Sequence, residues 1–258
     1  RVAKNLYLIH LKNLEDPSFD DILTVAEELA DESLFNNTSL AASFYKKAED
    51  SAKSSGDFAQ LAEKLIDSNK DKAIALYIKA ENLAETLDEL IELANLVIVH
   101  DEEKAIILFK KAESIATTFN DYVSVGNAVK DIDKDWGRKL YEKASNHISS
   151  LDEFNKIINK AFYDFEDHKW GSKMANKAIK ELMKADDLFE FCGYYDALIE
   201  LADEVVSENG LSDKESAKNI FNKLKEYEAV SAQLEGGRKV IEIYGLDDEY
   251  TQEFCNQS

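Results

Sequence analysis

The chain has 258 residues, 45% of them hydrophobic and 32% charged, with 52 acidic side chains against 31 basic ones and a formal net charge of −21. That apolar fraction excludes intrinsic disorder despite the charge, and the acidic excess argues against nucleic acid and anionic membrane surfaces, which select clustered lysine and arginine. One proline and nine glycines are too few for a sheet protein of this length, so helices joined by short polar turns are expected.

At the start of the chain, AKNLYLIHL (3–11) reads as a lone helix, and residues 1–19 as a cap or partial repeat. From residue 20 to 178 the chain repeats itself. LAASFYKKAEDSA (40–52), KAIALYIKAENLA (72–84), KAIILFKKAESIA (104–116) and WGRKLYEKASNHI (136–148) begin 32 residues apart. Each carries a small residue, an aromatic four positions on and an alanine three further: Ala41, Tyr45, Ala48; Ala73, Tyr77, Ala80; Ala105, Phe109, Ala112; Gly137, Tyr141, Ala144. Such spacing puts the three side chains on one helical face, where small residues let a neighbouring helix come close and the ring fills the space between repeats.

A second set of columns, Leu29, Leu61, Leu93, Val125 and Ile157, marks a first helix in each unit. The first four precede Ala30, Ala62, Ala94 and Gly126. Polar turns such as DSNKDK (67–72), HDEEK (100–104) and DIDKD (131–135) separate the helices and supply capping residues. A fifth unit repeats the Trp136-Gly137 pair as Trp170-Gly171, 34 residues on, which implies a two-residue insertion; Ala175 stands where the aromatic should be.

Residues 179–258 read as degenerate repeats and a C-terminal cap. The stretch 186–206 is too long for a first helix, with Gly193 as a break. Ala217, Phe221 and Leu224 restore the second-helix spacing, Gly236-Gly237 is expected to interrupt the chain, and VIEIYGLDDEYTQEF (240–254) reads as one or two closing helices. The whole is one helical-repeat domain, all-α.

The small, aromatic, alanine triplet behind a leucine and small-residue pair resembles the tetratricopeptide repeat, over roughly residues 20–225. Sel1-like arrays share much of the pattern. The period of 32 in place of the family's usual 34, and the missing unit-ending proline, are departures. The resemblance implies a right-handed superhelical α-solenoid of about six antiparallel helix pairs, with first helices lining a concave surface that binds extended or helical peptides. The residue two after the leucine column would then face inward: Asp31, Glu63, Asn95, Asn127 and Asn159. Three asparagines in register could grip a peptide backbone through both amide groups, with a basic segment over the acidic end. The plain alternative is a solvated helix position copied by duplication. Other arrangements weighed are a self-assembly module and an enzyme built on helical pairs with acidic catalytic residues.

No catalytic motif is found. His10, His100, His147 and His168 share no column, and phosphate-binding glycine loops and HExxH are absent. Trp136 and Trp170 are expected at repeat junctions, and the recurring Lys46-Lys47 and Lys110-Lys111 pairs on solvated faces. Lys130–Glu142 has its acids in the order of a calcium loop, but the sixth position, which needs glycine, is Trp136. Asp67, Asn69 and Asp71 recur two periods earlier, so the segment is read as a turn and no metal or cofactor is expected. Cys192 and Cys255 form no motif and fit a reducing, cytoplasmic setting. No apolar run reaches membrane-spanning length. The expected partner is thus a protein or peptide, and neither nucleic acid nor membrane; the oligomeric state is left open.

Overall fold

The structure, a computed structural model, describes residues 17–184, 191–192, 196–207, 213–225, 230–245 and 248–256. The lone helix expected at 3–11 and the break expected at Gly193 lie outside them. Among the described residues there are 14 α-helices and no strand. The chain divides into two compact units, up to Ala116 and from Thr117. The first holds α1 (Phe19–Ala30), α2 (Thr38–Ser51), α3 (Ser55–Leu65), α4 (Lys70–Leu83), α5 (Leu87–Val97) and α6 (Glu102–Ile115). The second holds α7 (Phe119–Val129), α8 (Lys134–Ala144), α9 (Leu151–Asn159), α10 (His168–Leu182), α11 (Asp196–Val206), α12 (Lys214–Leu224), α13 (Val230–Tyr244) and α14 (Glu249–Asn256). Consecutive helices pair as antiparallel hairpins, α1 with α2 through to α13 with α14.

Two caps frame each repeat. Ser54, Thr86, Thr118 and Ser150, 32 residues apart, accept from the N–H three residues on and start α3, α5, α7 and α9. At Ser54, Thr86 and Thr118 the acid three residues on reaches back to the cap's own N–H, completing a capping box. Asn69, Asp101 and Asp133 start α4, α6 and α8 in the same way, each with its side-chain oxygen on the N–H three residues later. The backbone N–H of this second cap also closes the turn onto the end of the first helix: Asn69 to Leu65 O at 2.7 Å, Asp101 to Val97 O at 2.8 Å and Asp133 to Val129 O at 2.8 Å. The same bond is made across longer turns, by Asn37 to Leu29 O, Asp167 to Ala161 O and Asp213 to Val205 O. Loop length varies; the closing contact does not.

Packing follows the columns. Ala41, Ala73 and Ala105 are at most 2% exposed, and Tyr77, Phe109 and Tyr141 at most 8%. At Gly137 a Cβ would lie 2.8 Å from Lys130 Cα, a backbone atom of the residue that caps the end of α7, so this hairpin is too tight even for the alanine its neighbours carry. Gly126 faces the same hairpin from the other side, with a Cβ position 3.2 Å from the Tyr141 ring.

The two-residue insertion of the fifth unit is a single π-helical turn, Lys160–Asp164, that prolongs α9. It carries Phe162, 3% exposed, against Gly171, where a Cβ would collide with the ring. The ring that Ala175 does not provide thus enters from the first helix. Trp170 is buried beside Phe165 and Arg138, at the junction expected for it.

Gly236 and Gly237 do not interrupt the chain: both lie within α13. Gly236 is there for proximity, since a Cβ would run into the Leu224 side chain of α12. The end of α13 comes at Gly245, whose φ of +91° is a left-handed stop. α13 and α14 are the two closing helices, and Ala217, Ile220, Phe221 and Leu224 are the buried face of α12.

Gly137→Ala should lower stability by about 1–3 kcal/mol through overpacking against rigid backbone. Gly56→Ala, whose Cβ would meet nothing nearer than Ser54 Oγ at 3.7 Å, should be neutral or stabilising by up to about 1 kcal/mol. Urea midpoints of the two variants check the contrast.

Candidate interaction face on the first helices

The five residues expected to face inward occupy different settings. Asp31 lies one residue past the end of α1, and its carboxylate accepts from the Ser33 N–H at 2.7 Å and hydroxyl at 2.6 Å, which hold it below the ordinary aspartate range. It is a turn residue rather than part of the helical row. Glu63 and Asn95 are exposed on α3 and α5. Asn127 is exposed on α7, and its Oδ1 accepts from the Tyr141 hydroxyl at 2.5 Å. Asn159 ends α9, and its Nδ2 donates to Glu200 Oε1 on α11 at 2.8 Å.

These differences follow from what the same unit's aromatic column offers. Tyr141 has a hydroxyl for Asn127, whereas Phe109, one unit earlier, has none for Asn95. Tyr77 stands in register with Glu63, yet its hydroxyl is buried without a hydrogen bond. Burial, aided by the Glu63 charge, pushes that phenol up to about 12. In the fifth unit Ala175 has no ring, and Asn159 turns to the next first helix.

That next contact is a polar seam within the second unit. Asn155, Asn159 and Tyr163 fall four residues apart on α9 and its π-helical extension, facing α11. Asn155, 1% exposed, donates to Ala197 O at 2.8 Å and Glu200 Oε2 at 3.3 Å. The Tyr163 hydroxyl reaches both Glu204 oxygens at 3.1 and 3.2 Å. The Oδ1 atoms of Asn155 and Asn159 are buried with no donor among the described residues. On the α7 side, Asp164 takes Lys130 at 2.8 Å and Lys160 at 2.9 Å. Burial raises its pKa, but the two lysine hydrogen bonds outweigh that and leave it below the aspartate range.

Beyond the seam the face turns acidic. Asp196, Ile199, Glu200, Asp203 and Glu204 of α11, with Glu235 of α13, line a cleft of about 490 Å³. Asp203 pairs with Lys239 at 2.8 Å. Glu204 is held above the ordinary glutamate range, first by burial and further by the charges of Glu200 and Asp203, with the Tyr163 hydroxyl acting the other way. Asp203 continues the inward column, because Leu201-Ala202 repeats the leucine and small-residue pair. The fixed period had already been lost by residue 178, so the sequence reading did not reach it; the pair itself was the available signal.

The segment Lys130–Glu142 has another use for its acids. Asp133 caps α8 through the Trp136 N–H at 2.9 Å while its own N–H closes the turn. Among the described residues no cluster of three or more His, Cys, Asp or Glu is arranged to hold a metal ion, and no helix is long and apolar enough to cross a membrane. No protein-family model matches the chain, and a search of curated proteins finds no relative.

Two outcomes follow. A raised folded-state pKa means that Glu204 costs stability as the pH climbs past the ordinary glutamate value, and that the cost vanishes in acid. Glu204→Gln should therefore be more stable than the parent at about pH 7 and indistinguishable from it near pH 3, below both pKa values; urea titrations at the two pH values measure this. Asp133→Ala should cost about 1 kcal/mol through the lost cap, and millimolar calcium should shift the melting temperature of neither protein.

Proposed function

We propose that the chain is a non-catalytic interaction scaffold that takes a peptide or protein segment bearing basic residues on the face of its first helices. The observation that carries this reading is the acidic cleft on α11, joined through Glu200 to the amides of Asn155 and Asn159. Carboxylates there would meet lysine or arginine side chains, and the exposed amides of Asn95 and Asn127 would bond to peptide groups without reading sequence. A right-handed, tetratricopeptide-like arrangement with these helices on its concave side belongs to the same reading. The 32-residue register and the column of small, aromatic and alanine residues support it.

The test is a peptide array spanning acidic, neutral and basic sequences. Basic peptides should bind best, and their affinity should fall with added salt. Replacing Asn95, Asn127 and Asn159 together with alanine should weaken the best binders about tenfold or more, the loss expected of two or more hydrogen bonds at about 1 kcal/mol each. Unchanged affinity in a folded triple variant would remove the asparagines from the site. Preferential binding of acidic peptides would sink the assignment of the cleft.

A further inference from the structure

The repeat contains its own control for a second site, in the other unit and on the second helices. Ala42, Tyr45 and Lys46 of α2, with Lys64 of α3 and Lys72 of α4, border a cleft of about 520 Å³ between the first two hairpins, a size ordinary for small-molecule sites. One repeat later, the positions of Ala42, Lys46 and Lys64 are held by Ile74, Ile78 and Leu96. Three apolar side chains, of which Ile74 and Ile78 are 45% and 50% exposed, are thus exchanged for one methyl group and two lysines, which makes the junction less apolar and more positive. Tyr45 shows the consequence: its ring is only half-buried, whereas Tyr77, Phe109 and Tyr141 of the same column are at most 8% exposed.

The charge is not fully balanced within the chain. Lys64 pairs with Glu27 at 2.7 Å. Glu49, the one carboxylate bordering the cleft among the described residues, is shared by Lys72 at 2.5 Å and Lys79 at 2.7 Å. Lys46 has no ion-pair partner among the described residues. A cationic cleft with an apolar floor, in a chain of net charge −21, fits an anion with an apolar body. We infer that this cleft binds a small free organic acid, its carboxylate at Lys46 and Lys72 and its hydrocarbon part along Ala42 and Tyr45. The assignment stands independently of the peptide-binding reading, which concerns the first helices.

The probe is octanoate, titrated into the full chain at fixed pH and salt while backbone amide NMR shifts are followed. Saturable shifts at Ala42, Tyr45 and Lys46 are expected, with none from octylammonium under the same conditions. Ala42→Ile should fill the cleft with the side chain the next repeat uses and weaken binding about tenfold or more. Lys46→Ile should do the same by removing a charge-assisted contact, and because Lys46 is exposed, this variant tests the site even if Ala42→Ile folds poorly. Four results would each overturn the assignment: no saturation, octylammonium binding as tightly as octanoate, folded variants retaining parental affinity, or a leucine-terminated pentapeptide competing as well as octanoate.

Discussion

Each hairpin depends on how closely its second helix approaches its first. The small column sets that distance, and the limiting case is Gly137, where even a methyl group would press on the backbone at Lys130. Once the helices are that close, the ring four residues along has one place to go, and Phe109 and Tyr141 are fully buried there. The caps then follow as a frame. A second cap that both satisfies the start of its own helix and closes onto the last turn of the preceding one fixes the hairpin turn, whatever the number of residues between.

This explains why so much of the fold is legible in the sequence. Close approach demands alanine or glycine, ring packing demands an aromatic, and turns demand Asn, Asp, Ser or Thr, so geometry leaves its mark on residue type at a constant period. The same logic explains the failures. Gly236-Gly237 was expected to break the chain because glycine is a poor helix former, but a steric demand from Leu224 prevails over propensity within α13. The π-helical turn at Lys160–Asp164 shows in the sequence only as a two-residue change of period. Its role, bringing Phe162 to Gly171 in place of a ring at Ala175, needs the partner helix in view.

The candidate face was legible in position more than in chemistry. Counting two residues past the leucine column finds Glu63, Asn95, Asn127 and Asn159, but not what each does. Asn127 serves Tyr141, and Asn159 holds Glu200 across to the next first helix. Part of the asparagine row therefore braces the fold, and the amides without such a contact are that of Asn95 and the donor side of Asn127. Asp31 falls just beyond its helix because the first turn is longer. The carboxylates of α11 are the strongest feature of the face, and they lie where the period had lapsed. The pKa of Glu204 is raised first by burial and further by its like-charged neighbours Glu200 and Asp203, and a cationic partner would relieve the second part.

The central claim is that the first helices, and not the second, carry the recognition surface. Hydrogen exchange of the full chain with and without a lysine-rich peptide chosen from an array tests it most directly. Slowed exchange confined to the first helices α5, α7, α9, α11 and α13, with the second helices α6, α8, α10 and α12 unchanged, is the predicted result. Protection that falls on the second helices, or none at all at saturating peptide, would contradict the account.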